Sequence, residues 1–165
     1  MSNQTIPWTM IDCLSIAGIT NMAMKPSASP IFTMRLLIRH PYIDPDDITR
    51  KLKLEPDLLW RVNEARTSPA GRPLAGAHKT SMWSKSLVIE DKRSFFDELN
   101  ELLERLEMNK EFVKKLTDDK GIVTVIFDLH GRINIGDVVT WRTMGRLAAL
   151  QVNLGVEVFP NFAKA

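Results

Sequence analysis

The sequence predicts an α+β domain in which an antiparallel or mixed sheet carries helices on one face. Three observations lead there. Runs of alternating apolar residues, as at 32–39, read as strands with one buried face. Apolar residues three and four apart, as from Leu99 to Leu106, read as amphipathic helices. The two kinds follow one another as strand, helix, strand, strand, helix, strand, helix, strand. Strand–helix repeats of this sort suit a ferredoxin-like sheet, and the layout offers two pseudo-symmetric halves offset by about 90 residues.

Residues 1–30 read as an N-terminal arm ahead of a single domain at 31–165. The arm has no clean period and ends in Lys25-Pro26-Ser27-Ala28-Ser29-Pro30, a linker composition. Its Trp8, Met10, Ile11, Leu14 and Ile16 need a surface to cover, on their own domain or on another chain. The apolar run from Met10 to Met24 has no basic residue before it and contains Asp12, so no secretory signal is expected.

In the first strand Phe32, Met34, Leu36 and Ile38 share one face, while Thr33, Arg35, Leu37 and Arg39 share the other. Asp44-Pro45-Asp46-Asp47 opens a helix: a carboxylate caps, proline loses no needed donor, and two acids complement the dipole. Ile48 and Leu52 face the core, and the helix stops before Pro56. A short strand at 58–62, a long loop from Asn63 to Lys79 and a strand at 80–89 follow. Ser94, with Asp97 three residues on, opens the longest helix, whose stripe is Phe95, Leu99, Leu102, Leu103 and Leu106. Asn109 caps a shorter one that buries Phe112, Val113 and Leu116. Residues 122–129 are the clearest strand, with a shorter one at Ile133 and Ile135 after a turn at Gly131. Asp137 or Thr140 caps the last helix, with Trp141, Met144, Leu147 and Ala148 inward, and 153–159 is the closing strand.

A chain of 165 residues is ample for one domain and can bury roughly two thirds of its unfolded surface. Cys13 is the only cysteine, so no intrachain disulfide forms and a cytoplasmic location is expected. No run of 18 apolar residues exists, so no membrane span is expected. The net charge of +2 is unevenly placed: +4 over 31–93 and −3 over 94–120. A polarised surface of that kind is not the basic excess of a nucleic-acid binder.

From about residue 31 to 160 the chain resembles an uncharacterised family of mostly bacterial proteins, domain of unknown function 4279. The resemblance lies in the strand 32–39, then Asp44-Pro45-Asp46-Asp47-Ile48-Thr49, then Leu54-Glu55-Pro56. After a loop come Thr80-Ser81-Met82-Trp83-Ser84, and then the closing helix and strand at 147–159. Residues 1–30 lie outside it. The resemblance implies no activity and no catalytic residue.

Catalytic and cofactor motifs are missing. There is no Cys-x-x-Cys, His-Glu-x-x-His or Gly-x-Ser-x-Gly. Gly71-Arg72-Pro73-Leu74-Ala75-Gly76 has the glycine spacing of a phosphate loop but lacks the Lys-Ser/Thr pair directly after the second glycine. His40 and His130 end the two clearest strands, and Asp128 or Asp44 could complete a metal site if they converged. Strand-end histidines more commonly cap a surface, and neither metal nor cofactor is expected.

The basic segment from Arg61 to Lys79, the end of the second predicted strand and the loop after it, is the candidate site. It carries Arg61, Arg66, Arg72 and Lys79 against Glu64, with His78 beside them and Trp60 and Trp83 at its flanks. Arginines grip carboxylate or phosphate with two donors, and tryptophan offers a stacking face. The acidic helix 97–111 reads first as a solvated face. The expected function is a non-catalytic protein-interaction module, an immunity-type or accessory protein. Its partner, another protein or a second copy, would dock through the N-terminal arm and the basic loop. The other reading is a small-anion or nucleotide binder, or an enzyme, that uses residues 61–79.

Overall fold

The computed structural model describes residues 32–87, 95–130 and 137–159. The arm, Ser94, Ile133 and Ile135 therefore lie outside the described residues. Among these, seven strands and four helices run β1 (Phe32–His40), α1 (Pro45–Leu52), β2 (Leu58–Trp60), β3 (Ala65–Thr67), β4 (Pro73–Ala77), β5 (Ser81–Leu87), α2 (Phe95–Met108), α3 (Lys110–Asp118), β6 (Ile122–His130), α4 (Trp141–Ala149) and β7 (Asn153–Phe159).

Five strands form one mixed sheet in the order β2-β5-β1-β6-β7. β1 lies antiparallel between β5 and β6, and β7 runs parallel to β6 at one edge. β1 and β6, the counterparts in the predicted repeat, pair with each other at the centre. Their alternation holds: Met34, Leu36 and Ile38 of β1 align with Val123, Val125 and Phe127 of β6, and all six are buried. These side chains join Ile48 and Leu52 of α1, Leu99, Leu102, Leu103 and Leu106 of α2, Val113 and Leu116 of α3, and Leu147 of α4 in one core. The four helices therefore cover the same face of the sheet.

The helix ends follow local chemistry. The Asp44 carboxylate accepts from the Asp46 amide at 3.1 Å, Pro45 takes the first helical position, and Lys53 closes α1 in the left-handed region. Of the two candidate caps for α4, Thr140 is the one used, its hydroxyl accepting from the Thr143 amide at 3.2 Å. Asn109 precedes α3 without capping it; its side-chain amide instead donates to the Arg105 carbonyl. At the end of α3 the Gly121 amide donates to the Leu116 carbonyl at 2.7 Å, with Lys120 left-handed before it. A Cβ on Gly121 would lie 2.4 Å from that carbonyl oxygen, so glycine is required by close approach.

The opposite face of the sheet is mixed, with Leu37, Met82 and Ile126 beside a charged cluster. Arg35 of β1 holds Asp128 of β6 at 3.1 Å and Glu157 of β7 at 2.9 Å. Asp128 and Glu157 sit directly opposite in the β6–β7 ladder, where two carboxylates would repel, and Arg35 offsets that repulsion. No helix among the described residues is long and apolar enough to cross a membrane.

Candidate functional site

The segment 63–79, expected as a loop, is a projecting hairpin. β3 and β4 pair only with each other. The Asn63 amide donates to the His78 carbonyl and the His78 amide to the Glu64 carbonyl, which closes the base of the hairpin. At the tip, the Ser68 amide donates to the Arg72 carbonyl and Gly71 takes a φ of 75°. Every residue of both strands is exposed. The alternation expected of a strand is absent because neither face of the hairpin is buried.

The structure separates the seven candidate residues. Trp60 stacks on His78 with ring centroids 4.5 Å apart, and its indole N–H donates to the Thr80 carbonyl at 3.0 Å. Arg61 turns away from the hairpin to the start of α1. Its guanidinium meets Asp44 at 3.2 Å and Asp46 at 2.6 Å, and those carboxylates raise its pKa. Arg66, Arg72 and Lys79 are exposed, with no ion pair among the described residues. Trp83 is not a flank at all. It is 0 % exposed, sits in the core and donates to the Thr49 hydroxyl at 3.0 Å. Only Trp60 and His78 are brought together, without a converging set of cations.

The two histidines do not converge either. β1 and β6 are antiparallel, so His40 and His130 stand at opposite ends of the sheet. Asp128 is taken by Arg35, and Asp44 by Arg61 and the cap of α1. Among the described residues no three metal-ligating side chains cluster.

Two other features have the form of a site. The first is the edge made by α4 and β7. Trp141, Met144, Leu147 and Ala148 were expected inward on α4, but the buried side chains are Thr143 and Leu147. Trp141 is 73 % exposed, with Arg142 lying over its ring, and Met144 and Ala148 are exposed as well. The helix is rotated by its polar anchors. Thr143 hydrogen-bonds Asn100, and Arg146 forms two bonds to the Glu107 carboxylate, at 2.7 and 2.8 Å, and another to Asn100. Alongside it, Leu154, Val156 and Val158 of β7 align with Val125, Phe127 and Leu129 of β6 on the helix side of the sheet. Yet all three are exposed, Val156 at 60 %. The signal for this edge was present in the sequence as two apolar stripes, one on each element.

The second is a cleft of about 650 Å³ between the turn after β1 and helix α3. His40 lines it and is 2 % exposed. Its Nδ1 accepts from the amides of Tyr42 at 3.2 Å and Ile43 at 2.9 Å. Burial lowers the pKa of the imidazole, and Asp119 opposes that shift. With Nδ1 accepting, the neutral ring carries its proton on Nε2, which is buried and has no partner among the described residues. Tyr42 meets the ring edge-on at 4.7 Å.

A family model described as Domain of unknown function (DUF4279) matches residues 30–159. No curated protein and no solved structure matches the chain.

Proposed function

We propose that this chain, which belongs to the DUF4279 family, is a non-catalytic protein-interaction module that docks through the α4–β7 edge onto a second copy of itself. One observation carries the reading: among the described residues β7 is an edge strand of the sheet, and its Leu154, Val156 and Val158 side chains are exposed. Such an edge offers unpaired amides and carbonyls to any passing strand, and folded proteins usually blunt it with lysine, proline or a bulge. Asn153–Phe159 contains no lysine or proline, and its ladder with β6 has no register shift.

The strand is also self-complementary. Antiparallel pairing of two copies about Val156 sets Leu154 of one against Val158 of the other and joins their apolar strips. It sets Glu157 opposite Gly155, and each Glu157 is already held by its own Arg35. The exposed stripe of α4, with Trp141 and Met144, borders the same edge and extends the surface. A cytoplasmic location belongs to the reading and is supported by the single cysteine, Cys13.

Light scattering on the full chain tests the proposal. The chain is expected to run at twice its 18.8 kDa mass at about 100 µM protomer. Val156→Lys, an exposed change that costs the fold within about 0.5 kcal/mol, is expected to return it to one copy. A wild-type chain that stays monomeric at that concentration overturns the proposal. Residues 1–30, with Trp8, Met10 and Ile11, would then be the competing occupant of the strip, to be tested by their removal.

A further inference from the structure

Three aliphatic side chains on β7, each only partly exposed, supply a small share of the roughly 800 Å² per copy that a stable interface buries. The largest exposed apolar side chain near them is Trp141, at 73 %. A tryptophan can bury about 150–250 Å² by itself.

The contacts of α2 fix the level of Trp141 along the sheet. Phe96 of α2 meets Phe127 edge-on with ring centroids 5.6 Å apart, and Phe127 aligns with Val156. One turn further along α2, the Thr143 hydroxyl donates to the Asn100 side-chain carbonyl at 3.2 Å. Glu107 then holds Arg146, so α2 and α4 run in the same direction. Trp141 precedes Thr143 by two residues, about 3 Å back toward the level of Phe96. It therefore stands within about one strand residue of Val156. Around the helix Trp141 lies about 160° from Thr143, so it points away from α2 and toward the β7 edge.

Antiparallel pairing of two copies about Val156 puts the twofold axis at that residue, perpendicular to the sheet. Both α4 helices then lie on one face and flank the seam. Each leaves its own β7 exposed and so is centred nearer β6. Three strand spacings, about 14 Å, separate two such helices, whereas helices in direct contact stand about 8–10 Å apart. The gap is floored by Leu154, Val156 and Val158 of both copies, and only large side chains can close it.

We infer, on the premise that two copies pair through β7, that Trp141 is the anchor of the interface: the two indoles meet across the twofold axis, over Val156 of both copies, and close the groove between the α4 helices. Arg142 lies 5.2 Å from the centre of the indole and covers one face, leaving the other for the partner. Met144, one turn along α4 and 50 % exposed, flanks the contact.

The full chain labelled with 5-fluorotryptophan tests this by ¹⁹F NMR, with Trp141→Phe assigning the resonance. The change in that resonance between H₂O and D₂O reads solvent exposure. It is expected to be small in the wild type at about 500 µM, where the dimer is filled, and large in Val156→Lys, the monomer reference. The resonances of Trp60 and Trp83 are expected to be the same in both. Trp141→Ala, an exposed change, is expected to raise the dimer Kd at least about tenfold. Met108→Ala, at an exposed position on the end of α2, is expected to leave it unchanged. A chain of doubled mass in which Trp141 stays exposed, or in which Trp141→Ala binds as tightly as wild type, overturns the inference and leaves the β7 pairing in place. A chain that is monomeric at about 500 µM overturns both. Trp141 shielded in such a monomer gives the groove to residues 1–30 instead.

Discussion

Trp83 shows how one polar atom is accommodated in this core. Its ring is fully buried, and its N–H reaches the Thr49 hydroxyl across the gap between β5 and α1. Thr49 in turn donates to the Pro45 carbonyl at 3.3 Å. Thr49→Val keeps the shape but removes the acceptor, so a buried donor is left without a partner. The expected cost is about 1–3 kcal/mol, read from the urea midpoint, and a change near zero would mean that water reaches the indole. In sequence Trp60 and Trp83 flank one loop, because both are large and border it. Strand register separates them: Trp83 aligns with Ile38 on the core face, whereas Trp60 aligns with Met82 on the other. A shift of one residue reverses a side chain's face, and the pairing that sets it is not local. His40 was legible as a strand end. That its Nδ1 would accept two amides was not, because this depends on how the following turn folds back.

Helix α4 is positioned by charge as much as by burial. Arg146 grips Glu107 with two bonds and ties α4 to α2, and that hydrogen bonding lowers the pKa of Glu107. Both groups are partly exposed, so Arg146→Leu is expected to cost only about 1 kcal/mol at neutral pH. The sign with pH follows from the lowered carboxyl. The pair's contribution is complete above the ordinary glutamate value of 4.5 and is lost as pH falls through the lower folded value. Stability curves of wild type and Arg146→Leu should therefore converge as pH falls below the ordinary glutamate value, and a constant gap would assign the effect to packing. The periodic reading of α4 took every apolar residue at helical spacing as core. The spacing was real, but it described two stripes. Leu147 faces the core, and Trp141, Met144 and Ala148 face outward. Apolar periodicity reports that a face needs covering, not what covers it. The predicted strands, by contrast, were legible because β1 alternates about its buried face and β6 is a nearly continuous β-branched and apolar run.

At the scale of the molecule, the sheet and its helices form one packed unit, and the β3–β4 hairpin is an appendage to it. The mixed sheet with helices on one face was legible from the order and period of its elements. The hairpin was not, since its strands have no buried face to produce a pattern; its one local trace was Pro69-Ala70-Gly71 at the tip. Because both strands are exposed and pair only with each other, their removal should leave the core intact. Replacing residues 65–77 with Asn-Gly joins Glu64 to His78 through a tight turn and keeps the stack of Trp60 on His78. The melting temperature is expected to move by no more than about 3 °C, which for a chain of this size corresponds to roughly 1 kcal/mol. The same variant separates the surfaces. If the α4–β7 edge makes the dimer, the shortened chain keeps its doubled mass although Arg66 and Arg72 are gone. If instead the hairpin carries association, light scattering will show a single copy with an unchanged melting transition, and the docking surface moves from the sheet edge to the basic hairpin.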